Sequence, residues 1–323
     1  DISVKYMGLD LRSPILAASS GLTTQLEKII EFEKAGVGAI VVKSLFEEQI
    51  SNEAQFLESQ SHDYPESADY LHHYLRSNSL ERYLTLIREI KSQVTVPVIA
   101  SVNCYSAGEW INFAKEVQSA GADAIELNIY SMPLDIHKSS LDIENSYLKV
   151  VKDVSKSLSI PVAVKIASTF TNLPAFVNSL KANGAKAVVM FNRFYSPNID
   201  INRLSLYPAD AFSHPEEYIK ELRWMAIVSS LVKGIDLSAS TGNYDGISVI
   251  KQILAGASTV QMCSALYKKG GVVISDAISE LENFMTKNGF ESLVDFKGRL
   301  NYSAIENPDK FERVQFMKSF GSK

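Results

Sequence analysis

Cysteine is almost absent from this chain: its 323 residues include two, Cys104 and Cys263, and no CxxC pair. That excludes a disulfide framework and an iron–sulfur ligand set, and it fits a reducing compartment. Histidine is scarce as well. His62, His72, His73, His137 and His214 show no HxxxH spacing. The adjacent His72 and His73 would point different ways on a helix or a strand, so no metal site is expected. No apolar run approaches the ~20 residues that a membrane span requires. The opening "DISVKYMGLD" lacks a basic stretch followed by an apolar segment, which argues against a signal peptide. Net charge is −5, with acids and bases interspersed, so there is no electrostatic footprint for nucleic acid. Linker-like stretches rich in Pro, Gly or Ser are also missing. The expectation is one soluble, cytoplasmic domain over 1–323, without nucleic-acid or membrane partners.

What the chain does have is an alternation. Short β-branched runs at 14–19, 38–43, 96–102, 123–128, 161–166, 186–192, 234–240 and 258–262 alternate with helical patterns such as 25–36, 80–93, 107–121, 144–158 and 173–184. Four junctions, "EKAGVGAIVV", "QSAGADAIEL", "KANGAKAVVM" and "LAGASTVQM", pass from a helix end through Gly into an apolar run. Gly ends a helix cheaply in the left-handed conformation, and a short loop then returns the chain to the sheet. Such apolar strands suit a parallel sheet covered on both sides. Eight units predict an α/β fold, a (β/α)8 TIM barrel. The open doubly wound alternative lacks its GxGxxG after the first strand. Two long connections, at about 44–79 and 193–215, follow the second and sixth strands and are read as lid-like insertions over the face that carries barrel active sites.

Polar residues stand where the strands end: Lys43, Asn128, Lys165 and Asn192. Barrel strands converge at that end, so two ammonium groups and two amides would share one cavity, and buried cations need an anionic or electron-rich partner. After strands seven and eight come Thr241–Gly242–Asn243 and Cys263–Ser264. Loops at those places commonly hold phosphate on backbone N–H groups. A phosphorylated cofactor therefore suits the pattern better than a metal. Cys104 reads as a small buried hydrophobe. The run "AIELNIYSMP" (124–133) raises one further question, because it carries an apolar strand into Asn128, Tyr130 and Ser131.

"KS" at 43–44, "ELN" at 126–128 with Ser131 beyond it, "VK" at 164–165, Asn192, "STG" at 240–242 and "LAGASTVQMCSALYKKG" at 254–270 together resemble the dihydroorotate dehydrogenase family. The matches run in order from "SPILAASSG" to "GFESLVDFKGRL". The resemblance implies an FMN-dependent barrel of the soluble class 1 type, a homodimer, that oxidises dihydroorotate or a related cyclic amide in pyrimidine biosynthesis. It implies that Ser19, Ser20, Gly21, Lys43, Ser44, Asn128 and Lys165 touch the flavin, and that Thr241, Gly242, Cys263 and Ser264 hold its phosphate. Lys43, Asn128 and Asn192 would meet the substrate. Lys43 and Lys165 would assist the chemistry, and Ser131 would be the base, at the place where class 1 proteins carry Cys. The chain also departs from the family pattern. The substrate loop has no counterpart in 44–79, where "PESADYLHHYLRSNSL" stands instead. Met132–Pro133 replaces Pro-Asn, and Arg193 follows Asn192, where it could grip a carboxylate. The electron acceptor stays open among fumarate, NAD through a partner subunit, and quinone. Two other readings stay open: a Schiff-base aldolase using Lys165, and a flavin-binding relative without turnover.

Overall fold

The computed structural model describes residues 1–46, 65–103, 107–130 and 132–313, with backbone alone for 45–46, 65–78 and 107–110. Twelve strands are present among these residues: β1 Val4–Tyr6, β2 Leu9–Leu11, β3 Ile15–Ala17, β4 Ala39–Phe46, β5 Val98–Asn103, β6 Ala124–Asn128, β7 Val162–Ile166, β8 Ala187–Met190, β9 Pro197–Asp200, β10 Ser205–Pro208, β11 Asp236–Ala239 and β12 Thr259–Met262. Strands β3 to β8 with β11 and β12 form a closed parallel barrel in chain order. The main covering helices are α1 Leu26–Lys34, α2 Pro65–Gln93, α3 Ala107–Ser119, α4 Ser140–Ser157, α5 Leu173–Ala182, α6 Tyr218–Leu231 and α7 Gly246–Ala255, followed by the short α8 Ser264–Lys269 and then α9 Val272–Asn288. The chain is an α/β TIM barrel, and each of the eight apolar runs supplies one stave.

Local chemistry fixes the helix ends. Ser139 and Asp142 cap α4 reciprocally, and Asp245 accepts from Ser248 N to start α7. The chain enters β4 through Gly38, where a Cβ would lie 2.0 Å from the Ser13 carbonyl oxygen. Only a residue without a side chain allows that approach.

The staves sort their residues by parity. Outward positions such as Ile40, Val42, Val98, Ile125, Leu127, Val162 and Val164 pack beneath the helices in one large core. Inward positions near the base are mostly small (Leu16, Ala39, Val41, Ile99, Ala124, Ala163, Ala187) and pack with Tyr6 and Leu11. Those last two belong to the β1/β2 hairpin, which the sequence patterns did not disclose because its strands are only three residues long. The hairpin plugs the base of the barrel. Higher up, the inward positions turn polar, with Ser101, Glu126, Lys165, Ser238, Thr259 and Gln261 all buried.

The two long connections differ in kind. Residues 65–79 of the first belong to α2, which begins at Pro65, a residue suited to a first helical turn. Residues 47–64 lie outside the described residues. The second connection carries the antiparallel β9/β10 hairpin and runs through a 3-10 turn, Pro215–Glu217, into α6. No helix among the described residues is long and apolar enough to cross a membrane.

The plug gives a stability test. Tyr6→Ala should cost about 3–5 kcal/mol by leaving a cavity under the barrel, while Tyr6→Phe stays within ~1 kcal/mol of wild type. Chemical denaturation of the two variants checks this. A cost for Tyr6→Ala near zero would mean that the hairpin does not close the base.

Candidate active site

A register shift places the first cation. β4 pairs Val42 with Ala100 and then Leu45 with Val102, so one extra residue sits between these pairs on β4. In a regular strand Lys43 and Ser44 would point to opposite faces. The bulge lets both line one cavity at the C-terminal end of the barrel. On β6 and β7, plain alternation does the same for Glu126, Asn128 and Lys165, with Asn128 directly in register with Lys165.

This cavity, of about 510 Å3, is lined by Ser19, Ser20, Lys43, Ser44, Ser101, Asn103, Glu126, Asn128, Tyr130, Lys165, Asn192, Arg193, Phe194 and Tyr195. A second hollow, of about 180 Å3, opens beside it and includes Thr241, Gly242, Asn243, Cys263 and Ser264. Both are bordered by Ser19, Lys165, Asn192 and Arg193, so they form one continuous cleft. The structure thus brings together Lys43, Ser44, Asn128, Lys165, Asn192 and Arg193 with Ser19 and Ser20. It also gathers the four residues expected around a phosphate. Gly21 opens the 3-10 turn Gly21–Thr24, just beyond the cavity rim. Ser131 and Cys104 lie outside the described residues.

Hydrogen bonds hold the walls. Ser44 N donates to Ser19 Oγ at 2.9 Å, and the Ser44 and Ser101 hydroxyls meet at 2.6 Å. Asn192 Nδ2 donates to Asn128 Oδ1 at 2.8 Å, tying strand ends across the mouth. Tyr130 stacks on Phe194 with centroids 4.2 Å apart, making an aromatic wall. In the smaller hollow, Thr241 (φ 80°) and Gly242 (φ 74°) both take left-handed backbone conformations. A Cβ on Gly242 would lie 2.3 Å from Tyr218 N, so the loop can pass α6 only as glycine. Ser264 Oγ accepts from Ser213 N at 3.0 Å, which brings the end of the 193–215 connection to this hollow. Burial pushes the Cys263 thiol above its ordinary range, against the opposing pull of the Lys165 charge.

Two features were not singled out in the sequence. Glu126 and Gln261 are almost fully buried and bracket Lys165: Lys165 Nζ donates to Gln261 Oε1 at 3.1 Å, and Gln261 Nε2 donates to Glu126 Oε2 at 2.6 Å. Period-two alternation was the available signal, since Glu126 stands two before Asn128 and Gln261 two before Cys263. The second feature concerns Arg193. Its Nε donates to Glu217 Oε2 at 3.2 Å and its Nη1 to the carbonyls of Asp210 and Ala211. The Arg193 guanidinium, which could have gripped a carboxylate, is therefore engaged through Nε and Nη1 by the protein's own residues.

The cleft contains unmet polar capacity. Asn103 Oδ1 and Glu126 Oε1 in the larger cavity, and Asn243 Oδ1 in the smaller, are buried without hydrogen-bond partners. Buried polar atoms are normally satisfied, so a polar ligand filling both hollows fits this lining. Among the described residues no group of three His, Cys, Asp or Glu side chains is placed to hold a metal ion.

The dihydroorotate dehydrogenase family model matches residues 1–285. The catalytic subunit of dihydroorotate dehydrogenase B (NAD(+)) from Thermoplasma acidophilum is 26% identical over 307 residues, covering 92% of this chain and 98% of the relative. The corresponding subunit from Geobacillus sp. is 26% identical over 309 residues, covering 92% and 95%. The NAD-dependent dihydropyrimidine dehydrogenase subunit PreA of Escherichia coli K12 is 21% identical over 338 residues, covering 96% and 79%. The chain belongs to the dihydroorotate dehydrogenase family and is an oxidoreductase acting on CH–CH donors.

Behind the Arg193–Glu217 pair, Glu221 has its pKa pushed up to about 8 by burial and by the neighbouring Glu217. Unfolded, it would titrate near the ordinary value of ~4.3. Across that window the native state holds a proton that the unfolded chain has released, so native stability falls as pH rises toward about 8. Glu221→Gln removes the penalty. Its gain in melting temperature should be small near pH 5 and largest above pH 8, as thermal unfolding across pH would show; a gain independent of pH refutes the assignment.

Proposed function

We propose that this chain binds FMN in the cleft and oxidises dihydroorotate or a related cyclic amide, as a step of pyrimidine biosynthesis. The observation that carries the reading is the convergence of Lys43, Asn128, Lys165 and Asn192 on a cavity continuous with the Thr241–Gly242 and Cys263–Ser264 hollow. When bound, a flavin would supply the hydride acceptor for this chemistry. The chain's own residues supply the rest. In this reading Thr241, Gly242, Cys263 and Ser264 anchor the phosphate through backbone N–H groups of their two loops. Ser19, Ser20, Lys43 and Ser44 would line the ring, with Gly21 at the rim. Lys165 would offset the negative charge that a flavin gains on reduction, its buried ammonium acting more strongly there than it would in water. The Asn128–Asn192 pair presents amides that orient the substrate over the ring. Ser131, outside the described residues, would take the substrate proton; a serine needs a neighbour or water chain to drain that proton.

A second substrate reading has its own support. With Arg193 engaged by Glu217, and with a relative named as a dihydropyrimidine dehydrogenase subunit, an uncharged dihydropyrimidine ring fits as well as a carboxylate-bearing one. Family membership weighs against the lysine Schiff-base alternative, as does a cyclic amide's lack of an aldehyde or ketone for an amine to condense with. A homodimer is part of the proposal. Ile199, Ile201, Leu204 and Leu206 on the β9/β10 hairpin, with Leu134 and Ile136 after β6, are large apolar side chains left mostly exposed.

The test is a visible spectrum of the purified protein followed by anaerobic titration with dihydroorotate and with dihydrouracil. A yellow protein bleached by either donor is expected, and the effective donor selects between the substrate readings. A colourless protein that takes up no added FMN refutes the cofactor. Lys165→Ala should slow bleaching at least about 100-fold while flavin is retained, because the phosphate grip lies elsewhere. Sedimentation should show a dimer, and Leu204→Asp with Leu206→Asp should shift it toward monomer; an unchanged dimer would move the interface to another face.

A further inference from the structure

Glu126 has no role in the proposed handling of ring, phosphate or substrate, yet it carries a charge deep inside the barrel. Its side chain is 1% exposed. Oε2 accepts from Gln261 Nε2 at 2.6 Å, and Gln261 Oε1 accepts from Lys165 Nζ at 3.1 Å. Oε1 stands 3.9 Å from the same Nζ and has no hydrogen-bond partner. The chemistry of the neighbours fixes which way the Gln261 amide lies. A carboxylate can only accept and an ammonium can only donate, so Nε2 must face Glu126 and Oε1 must face Lys165. Three staves, β6, β7 and β12, are thereby joined by one acceptor–amide–ammonium chain. A buried ammonium without a counter-charge is strongly disfavoured, and so is a lone buried carboxylate. Each charge makes the other tolerable.

We infer that Glu126 is a positioning residue for Lys165: directly and through Gln261 it holds the ammonium at the cavity wall, and its negative charge sets how much positive field the cleft offers an electron-rich ligand. The placement of Lys165 is independent of cofactor identity; the consequence for a flavin rests on the reading given above. Lys165 Nζ spends one donor on Gln261, leaving further donor capacity at the wall shared by both hollows.

Glu126→Gln keeps the shape and can still accept from Gln261 Nε2, while removing the charge. Gln261→Met cuts the amide bridge and leaves the charge in place. In cofactor-free protein, acylation of Lys165 by an activated ester at fixed pH, followed by peptide mass spectrometry, should quicken several-fold in both variants as the ammonium loses its partners. In FMN-loaded protein, Glu126→Gln should move the flavin midpoint potential to a more positive value, because the Lys165 charge is no longer offset. In a Lys165→Met background the same substitution should shift the potential by less than about half as much, since its effect runs through Lys165. A purely structural Glu126 would lower the melting temperature and leave acylation and potential unchanged, and that result overturns the inference. So does a potential shift that survives intact without Lys165. If the wild-type protein takes up no FMN, the cofactor reading fails by itself, and the acylation rates still decide the role of Glu126.

Discussion

One buried positive charge organises this molecule. Lys165 lies on an inward face of a closed barrel, away from bulk water, where a cation persists only if the surrounding groups answer it. Glu126 and Gln261 answer it from two other staves. The surrounding features follow from that demand. The inner layer turns from small and apolar at the base to polar at mid-height, and amides cluster at the mouth. The second hollow, which Lys165 also borders, is shaped by left-handed backbone at Thr241 and Gly242.

Much of this was legible from the amino acids because barrel strands announce themselves. Each stave has an apolar outer face pressed on helices, and several of the helix-to-strand passages are marked by glycine. The strand-end residues Lys43, Asn128, Lys165 and Asn192 were readable because parallel strands converge at one end. What escaped notice has physical reasons. Glu126 sits within a run of buried residues, so its charge looked incidental to an apolar strand. It becomes meaningful only when Gln261, 135 residues away, is brought against it. The β1/β2 hairpin is too short to build a periodic signal. Arg193 looked like a free cation because Glu217, its partner, arrives by way of a turn that no spacing rule specifies.

The 193–217 stretch connects otherwise separate jobs. Arg193 borders both hollows, Ser213 reaches the smaller one through Ser264, and the hairpin between them carries exposed apolar side chains outward. A short segment of chain therefore touches the larger hollow, the smaller hollow and an outer surface. Loops on a rigid barrel are free to vary in this way because the staves carry the stability.

The plug at the barrel base bears on how the cleft is reached. Tyr6, Leu11 and Leu16 pack beneath the inner layer, so among the described residues the cavity that Lys165 borders faces the C-terminal end of the staves. One rim of the barrel is thereby given over to packing and the other to the polar cleft, and the two ends answer to separate constraints.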